Sequence, residues 1–148
     1  MVTRGSYCLC VRVGEDSDIR IGALGTLRFQ RGVYIYVGSA MSGLEPRLAR
    51  HLRTSKGEGR VVKWHIDHLL SHHATRIESI YTMEGAVKRE CEIAALVARA
   101  GEPVPRFGSS DCRCPSHLYR VEECGFLEKG GLKEMEIGAP LTSSSARL

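Results

Sequence analysis

A phenol, a guanidinium, an imidazole and a carboxylate are the groups in this chain whose types and spacing suit chemistry on a phosphodiester: Tyr36, Arg47, His51 and Glu90, with a second phenol at Tyr7. A tyrosine can take a proton from water once a nearby cation lowers its pKa from roughly 10. Arginine is a permanent planar cation that binds a phosphate and offsets charge developing on it in the transition state. His51 can assist or replace the phenol as base. A carboxylate at Glu90 can hold Mg²⁺ or Mn²⁺, hard ions that prefer oxygen ligands and keep several waters. Together these are the parts of a metal-assisted phosphodiester-cutting site.

The elements that must position them can be read along the chain. Residues 33–37 alternate as a strand, with Val33, Ile35 and Val37 facing one way and Tyr34 and Tyr36 the other; Gly38 is expected to end it. Pro46 must lie in the first turn of a helix, because deeper inside it would remove a hydrogen bond and clash with the preceding turn. That helix therefore starts near Gly43 or Leu44. Leu44, Leu48 and Leu52 form its buried stripe, flanked by Arg47 and His51. Upstream, residues 6–13 read as a strand and 19–29 as a hairpin interrupted by Gly22 and Gly25.

Downstream, a helix is expected over 62–72, burying Trp64 or Ile66 with Leu69 and Leu70. A strand follows over 76–83, then a helix over 84–100 closed by Gly101. Glu90 shares a face of that helix with Ile93 and Val97. A carboxylate on a mostly apolar face is costly unless paired or bound to a cation, which makes Glu90 a candidate ligand; the alternative is a partly exposed glutamate paired with Lys88 or Arg89. A Pro-, Gly- and Ser-rich loop leads to a last strand over 117–121. The stretch 122–148 is expected to be a loosely ordered C-terminal extension to a domain spanning 1–121. Strands and helices are thus interleaved along the chain.

Charge adds a partner. The formal net charge is +4, but Arg47, Arg50, Arg53, Lys56, Arg60 and Lys63 cluster within one stretch against Glu45 and Glu58. Arg50, Arg53, Lys56, Arg60 and Lys63 are therefore candidate nucleic-acid contacts, the alternative being an ordinary solvated helix face. No apolar run approaches the roughly 18 residues of a membrane span, and the first residues lack a long enough apolar run for a signal peptide. A cytoplasmic protein with no membrane association is expected. The chain has no asparagine and one glutamine, Gln30, a depletion that suits a thermophile.

Six cysteines need a separate reading. Cys8 and Cys10 are two apart on one strand face and are expected to pack as small hydrophobes; the lack of an export signal weighs against disulfides without excluding them. Cys112, Cys114 and His117, with Cys91 or His65 as a fourth ligand, have the composition of a structural zinc site, although packed reduced thiols explain them too. His65, His68, His72 and His73 lack the central glutamate of a zinc-protease helix and are expected to be surface histidines.

These residues resemble the GIY-YIG nuclease superfamily. Gly5-Ser6-Tyr7 stands where that family has Gly-Ile-Tyr, Tyr36-Val37-Gly38 where it has Tyr-Ile-Gly, and Arg47, His51 and Glu90 where it carries its arginine, the residue one turn later and its metal-binding glutamate. The stretches 64–70 and 108–118, with Glu90-Cys91, are most similar to an archaeal, Uri-type subgroup of unassigned function, sometimes fused to repair endonucleases. The resemblance covers about residues 5–121. It implies an α+β fold with a small, mainly antiparallel central sheet flanked by helices, and hydrolysis of DNA with one Mg²⁺ or Mn²⁺, RNA not being excluded. Two departures stand out: Ser39 where some members have lysine, and Ser110 or Asp111 where many have asparagine. Two other readings are a nucleic-acid-binding module with little catalysis and a zinc-stabilised interaction domain.

Overall fold

A computed structural model of the chain describes residues 3–59, 62–109 and 112–137. Arg60, Ser110 and Asp111 lie outside the described residues, as does the end of the C-terminal stretch. The fold is α+β, built on a six-stranded antiparallel sheet in the order β6-β7-β4-β1-β5-β8. In chain order the elements are β1 (Gly5–Val13), β2 (Ser17–Arg20), β3 (Thr26–Phe29), β4 (Gly32–Ala40), α1 (Leu44–Ser55), α2 (His65–Leu70), β5 (Thr75–Glu84), α3 (Glu90–Ala98), β6 (Gly101–Pro103), β7 (Leu118–Val121), α4 (Phe126–Lys129) and β8 (Lys133–Met135). β2 and β3 form a separate hairpin.

The alternation along the central strands divides the core in two. Tyr7, Leu9, Val11 and Tyr34 face α1, α2 and the hairpin, joined by Leu44, Leu48, Leu52, Ile66 and Leu69. Cys8, Cys10, Ile35 and Val37 face the other way, against Ile93, Ala94 and Val97 of α3 and Leu127 of α4. β1 is buried along nearly its whole length because both of its faces are covered. Among the described residues, no helix is long and apolar enough to cross a membrane.

Four boundaries differ from the sequence expectation, each for a local reason. β4 runs past Gly38 to Ala40, because Gly38, Ser39 and Ala40 pair with Tyr7, Ser6 and Gly5 of β1. α2 is short: the Asp67 carboxylate accepts hydrogen bonds from the backbone N–H groups of Lys63 and Trp64, at 2.8 and 2.9 Å, and so fixes its start at His65. α3 starts at Glu90 rather than Glu84, where the Arg89 N–H donates to the Ser6 hydroxyl at 3.1 Å. The stretch beyond Glu122, expected to be loose, instead carries α4 and adds β8 to the sheet edge, with Leu127 and Leu132 buried. Cys10 is not merely packed: it forms a disulfide with Cys124 that ties this stretch to β1, while Cys8 remains a free, buried thiol.

A candidate active site beside a thiol cluster

Register is what brings the phenols together. Tyr7 lies opposite Gly38 and Tyr36 opposite Leu9 on the paired strands β1 and β4, so the two rings reach the same end of the sheet, with centroids 6.4 Å apart. Gly38 is required there: a Cβ at that position would sit 2.6 Å from both Cζ and Oη of Tyr7. α1 leaves β4 through a turn at Gly43, whose φ of 138° suits glycine, and Pro46 sits in its first turn. This launch brings Arg47 and His51 back over the phenols.

His51 is fully buried and its Nε2 lies 2.7 Å from the Tyr7 hydroxyl, while its Nδ1 has no partner. Burial lowers its pKa to about 4, so the ring is neutral at neutral pH. Buried N–H donors without an acceptor are rarer than under-satisfied acceptors, which places the ring proton on Nε2, donated to the Tyr7 oxygen. Burial pushes the Tyr7 phenol up to about 12, against the pull of the Arg47 guanidinium. Tyr36 is raised well above its ordinary value by burial and by the neighbouring Tyr7 and Glu90.

Arg47 donates to the Ser39 carbonyl at 3.0 Å and lies 4.7 Å from the centre of the Trp64 ring. Glu90 approaches from the opposite side, at the start of α3. Tyr7, Tyr36, Arg47 and Glu90 line one cavity of about 320 Å³, joined by Trp64, Lys88 and His117. Four of the five residues expected to act together therefore share one cleft, and the fifth, His51, sits behind Tyr7. Sequence reasoning placed neither Trp64 nor Lys88 there: it read Trp64 as a core residue within the 64–70 resemblance and Lys88 only as an alternative partner for Glu90.

The basic stretch divides. Arg50 is bidentate to the buried Asp67 at 2.9 and 3.0 Å and stacks on Trp64 at 4.3 Å, so its guanidinium braces the cavity wall. Burial would raise the Asp67 pKa, but Arg50 and the two backbone donors outweigh it and hold it below the usual carboxylate value. Arg53, Lys56 and Lys63 are exposed, Lys63 lying 5.2 Å from the Trp64 centre.

A second cavity, of about 360 Å³, adjoins the first and shares Lys88, Glu90, Gly108 and His117 with it. Ligand atoms of Cys91, Cys112, Cys114 and His117 all lie within 4.8 Å of one another there, so this cluster can hold a metal ion. A tetrahedral zinc with bonds of about 2.0–2.3 Å needs its ligand atoms roughly 3.5–3.8 Å apart. The Cys112 Sγ to His117 Nε2 distance, 3.3 Å, is already close to that. Burial, then hydrogen bonding to the neighbouring thiols, pushes the Cys114 thiol up to about 12. Cys91 is thus the fourth member; His65 instead accepts a hydrogen bond from the Gly108 N–H at 2.8 Å.

The family model described as a domain of unknown function, DUF123, matches residues 6–135. The chain belongs to the DUF123 family. The matched span opens at Ser6 and closes at Met135, the last residue of β8, so in this DUF123 domain the stretch carrying α4 and β8 falls within the match. No curated protein and no solved structure matches the chain.

His68, His72 and His73 form no metal cluster among the described residues; His72 and His73 stack at 4.4 Å after α2 has ended. Ser39, the residue after Gly38, hydrogen-bonds the Ser6 hydroxyl at 3.1 Å, and Ser6 in turn receives the N–H that begins α3. One serine pair therefore joins β1, β4 and the helix that carries Glu90.

Proposed function

We propose that this protein is a divalent-metal-dependent endonuclease that hydrolyses phosphodiester bonds of DNA, of a repair or recombination type selective for single-stranded or branched substrates. The observation that carries the proposal is the single cavity into which β1, β4, α1 and α3 deliver Tyr7, Tyr36, Arg47 and Glu90. Such a set fits no apolar ligand. It offers two phenols for proton transfer, fixed cations for a phosphate and one carboxylate for a cation.

Glu90 is the one carboxylate lining this cavity among the described residues, and Mg²⁺ sites commonly use one or two carboxylates completed by waters and substrate phosphate. The donor set thus suits Mg²⁺ or Mn²⁺, which would supply charge to stabilise the phosphate and its leaving oxygen. Arg47, held by the Ser39 carbonyl and the Trp64 ring, orients a phosphate and offsets its developing charge. Lys88 adds a second cation. Tyr7 takes a proton from the attacking water as the phenolate, a form that burial disfavours and that the hydrogen bond from His51 Nε2, Arg47 and a bound divalent ion would together have to favour. Exposed Arg53, Lys56 and Lys63 extend the binding track along the flanking backbone. The Cys91, Cys112, Cys114 and His117 cluster is a structural zinc site, its three thiolates and one imidazole being a common tetrahedral set. The protein acts in the cytoplasm, alongside a repair enzyme as partner.

The test is a panel of labelled single-stranded, flapped, duplex and RNA oligonucleotides with Mg²⁺ or Mn²⁺. Cleavage is expected to fall at least about 100-fold in Glu90→Ala and Arg47→Ala proteins that remain folded. Cutting that survives Glu90→Ala would sink the site assignment. The high phenol pKa values favour a second reading, a module that binds without cutting; salt-sensitive binding with no cleavage of any substrate would establish it.

A further inference from the structure

The two cavities meet at a wall made by Glu90 and His117, and the orientation of one imidazole connects them. His117 is buried, and its backbone is fixed on both sides: its N–H donates to the Phe107 carbonyl at 2.8 Å and its carbonyl accepts from the Val37 N–H at 2.9 Å. The ring so held turns Nε2 toward the thiols, 3.3 Å from Cys112 Sγ, and Nδ1 toward the Glu90 carboxylate, 3.7 Å from Oε2. A histidine that ligates a metal through one nitrogen carries its proton on the other, and a carboxylate commonly receives that proton and fixes the ring.

A second connection runs through the helix. Glu90 and Cys91 are consecutive in the first turn of α3, where neighbouring side chains diverge, so Glu90 lines the phenol cavity while Cys91 joins the thiol cluster. A metal that holds Cys91 therefore also fixes the backbone that carries Glu90.

We propose that Glu90 serves both sites: it is the outer-shell carboxylate of a zinc ion at Cys91, Cys112, Cys114 and His117, and zinc loading there prepares it to bind the divalent ion of the phenol cavity. The inference rests on the nuclease and zinc readings above but makes a demand that neither makes alone. Two linked sites must influence each other reciprocally. Three thiolates and one Zn²⁺ leave the cluster with a net negative charge, which favours a second cation nearby.

The experiment uses the full chain, with zinc affinity measured by competition against a chromophoric chelator and Mn²⁺ affinity by electron paramagnetic resonance. Wild type is expected to hold one zinc per chain. Glu90→Gln, a change at a partly exposed side chain that keeps the shape, is expected to retain that stoichiometry but release zinc about 10–100-fold more readily. Glu102→Gln at the exposed edge strand β6 should leave zinc affinity unchanged. Zinc-free wild type and Cys114→Ser are each expected to bind Mn²⁺ at least about fivefold more weakly than the zinc-loaded protein, with circular dichroism confirming the fold. Equal zinc affinity in wild type and Glu90→Gln would overturn the proposal, as would Mn²⁺ affinity indifferent to zinc or the absence of bound zinc. The readings separate cleanly, because loss of cleavage across the substrate panel with this linkage intact would refute only the nuclease.

Discussion

The phenol cavity and the thiol cluster share a wall yet are built by opposite means. Regular structure makes the first: strand pairing sets Tyr7 against Gly38, and one helix presents Arg47 and His51 together. A loop makes most of the second, its Cys112, Cys114 and His117 lying between β6 and β7, completed by Cys91 of α3 and held to the sheet by backbone bonds such as the Val37 N–H to the His117 carbonyl at 2.9 Å. Groups that orient a substrate need a rigid frame, because small displacements are expensive in rate. A soft-ligand metal site can be carried on irregular backbone, since the metal itself supplies the final order. Substitutions that strike one construction and spare the other can test this contrast.

The largest effect is expected at Asp67, which anchors the helical side of the phenol cavity. It is fully buried, bidentate to Arg50 and bonded to the N–H groups of Lys63 and Trp64. Asp67→Ala would leave Arg50, whose side chain is only 23% exposed, without its carboxylate; removing one partner of such a pair costs about 3–5 kcal/mol. Urea denaturation should show that loss. Zinc stoichiometry measured on the folded variant should stay at wild type, since no ligand of the cluster touches Asp67. Loss of zinc with the fold intact would mean that the two cavities are a single cooperative structure.

The same contrast explains what could be read in advance. The alternation of Val33, Ile35 and Val37 with the tyrosines, and the forced place of Pro46, carry β4, α1 and the convergence of Tyr36 and Arg47 on one cavity in local sequence. The commitment of Arg50 to Asp67 is not local: a basic run gives the same signal whether its guanidinium meets a phosphate or a buried carboxylate. Cys10 and Cys124 are 114 residues apart, and nothing in their spacing shows that β1 and the start of α4 meet. Composition singled out Cys112, Cys114 and His117, but only the fold chooses Cys91 over His65, because it brings the first turn of α3 against the loop. The helix expected from Glu84 failed because Glu84 pairs with Gly5 in the sheet and Ser6, 83 positions before Arg89, receives the Arg89 N–H that sets the helix start.

A smaller effect should follow pH through His51. Its folded pKa of about 4 lies below the ordinary 6.5, so the unfolded chain binds the proton first as pH falls. Stability present above pH 6.5 should therefore decline between about pH 6.5 and 4, by at most about 1.4 kcal/mol per pH unit. Asp67, whose folded pKa is depressed, adds its own loss at lower pH, as the pH drops through the carboxylate range toward that depressed value. Denaturation midpoints from pH 8 to 4 should show the first decline in wild type and a shallower one in His51→Gln. An equal slope in both would mean that burial does not hold the imidazole neutral.

The smallest and most local effect concerns Gly38. Its new Cβ in Gly38→Ala would lie 2.6 Å from the Tyr7 ring and hydroxyl, closer than real side chains approach. Strand pairing fixes the backbone, so the ring must give way and its hydrogen bond to His51 must lengthen. Overpacking of this kind costs about 1–3 kcal/mol. In a Tyr7→Ala background the obstacle is gone, so the Gly38→Ala penalty should shrink to a fraction of its value in a double-mutant cycle. Additive penalties would show that Gly38 serves the strand rather than the phenol. The rigid cavity would then owe its geometry to α1, with the two strands merely supporting it.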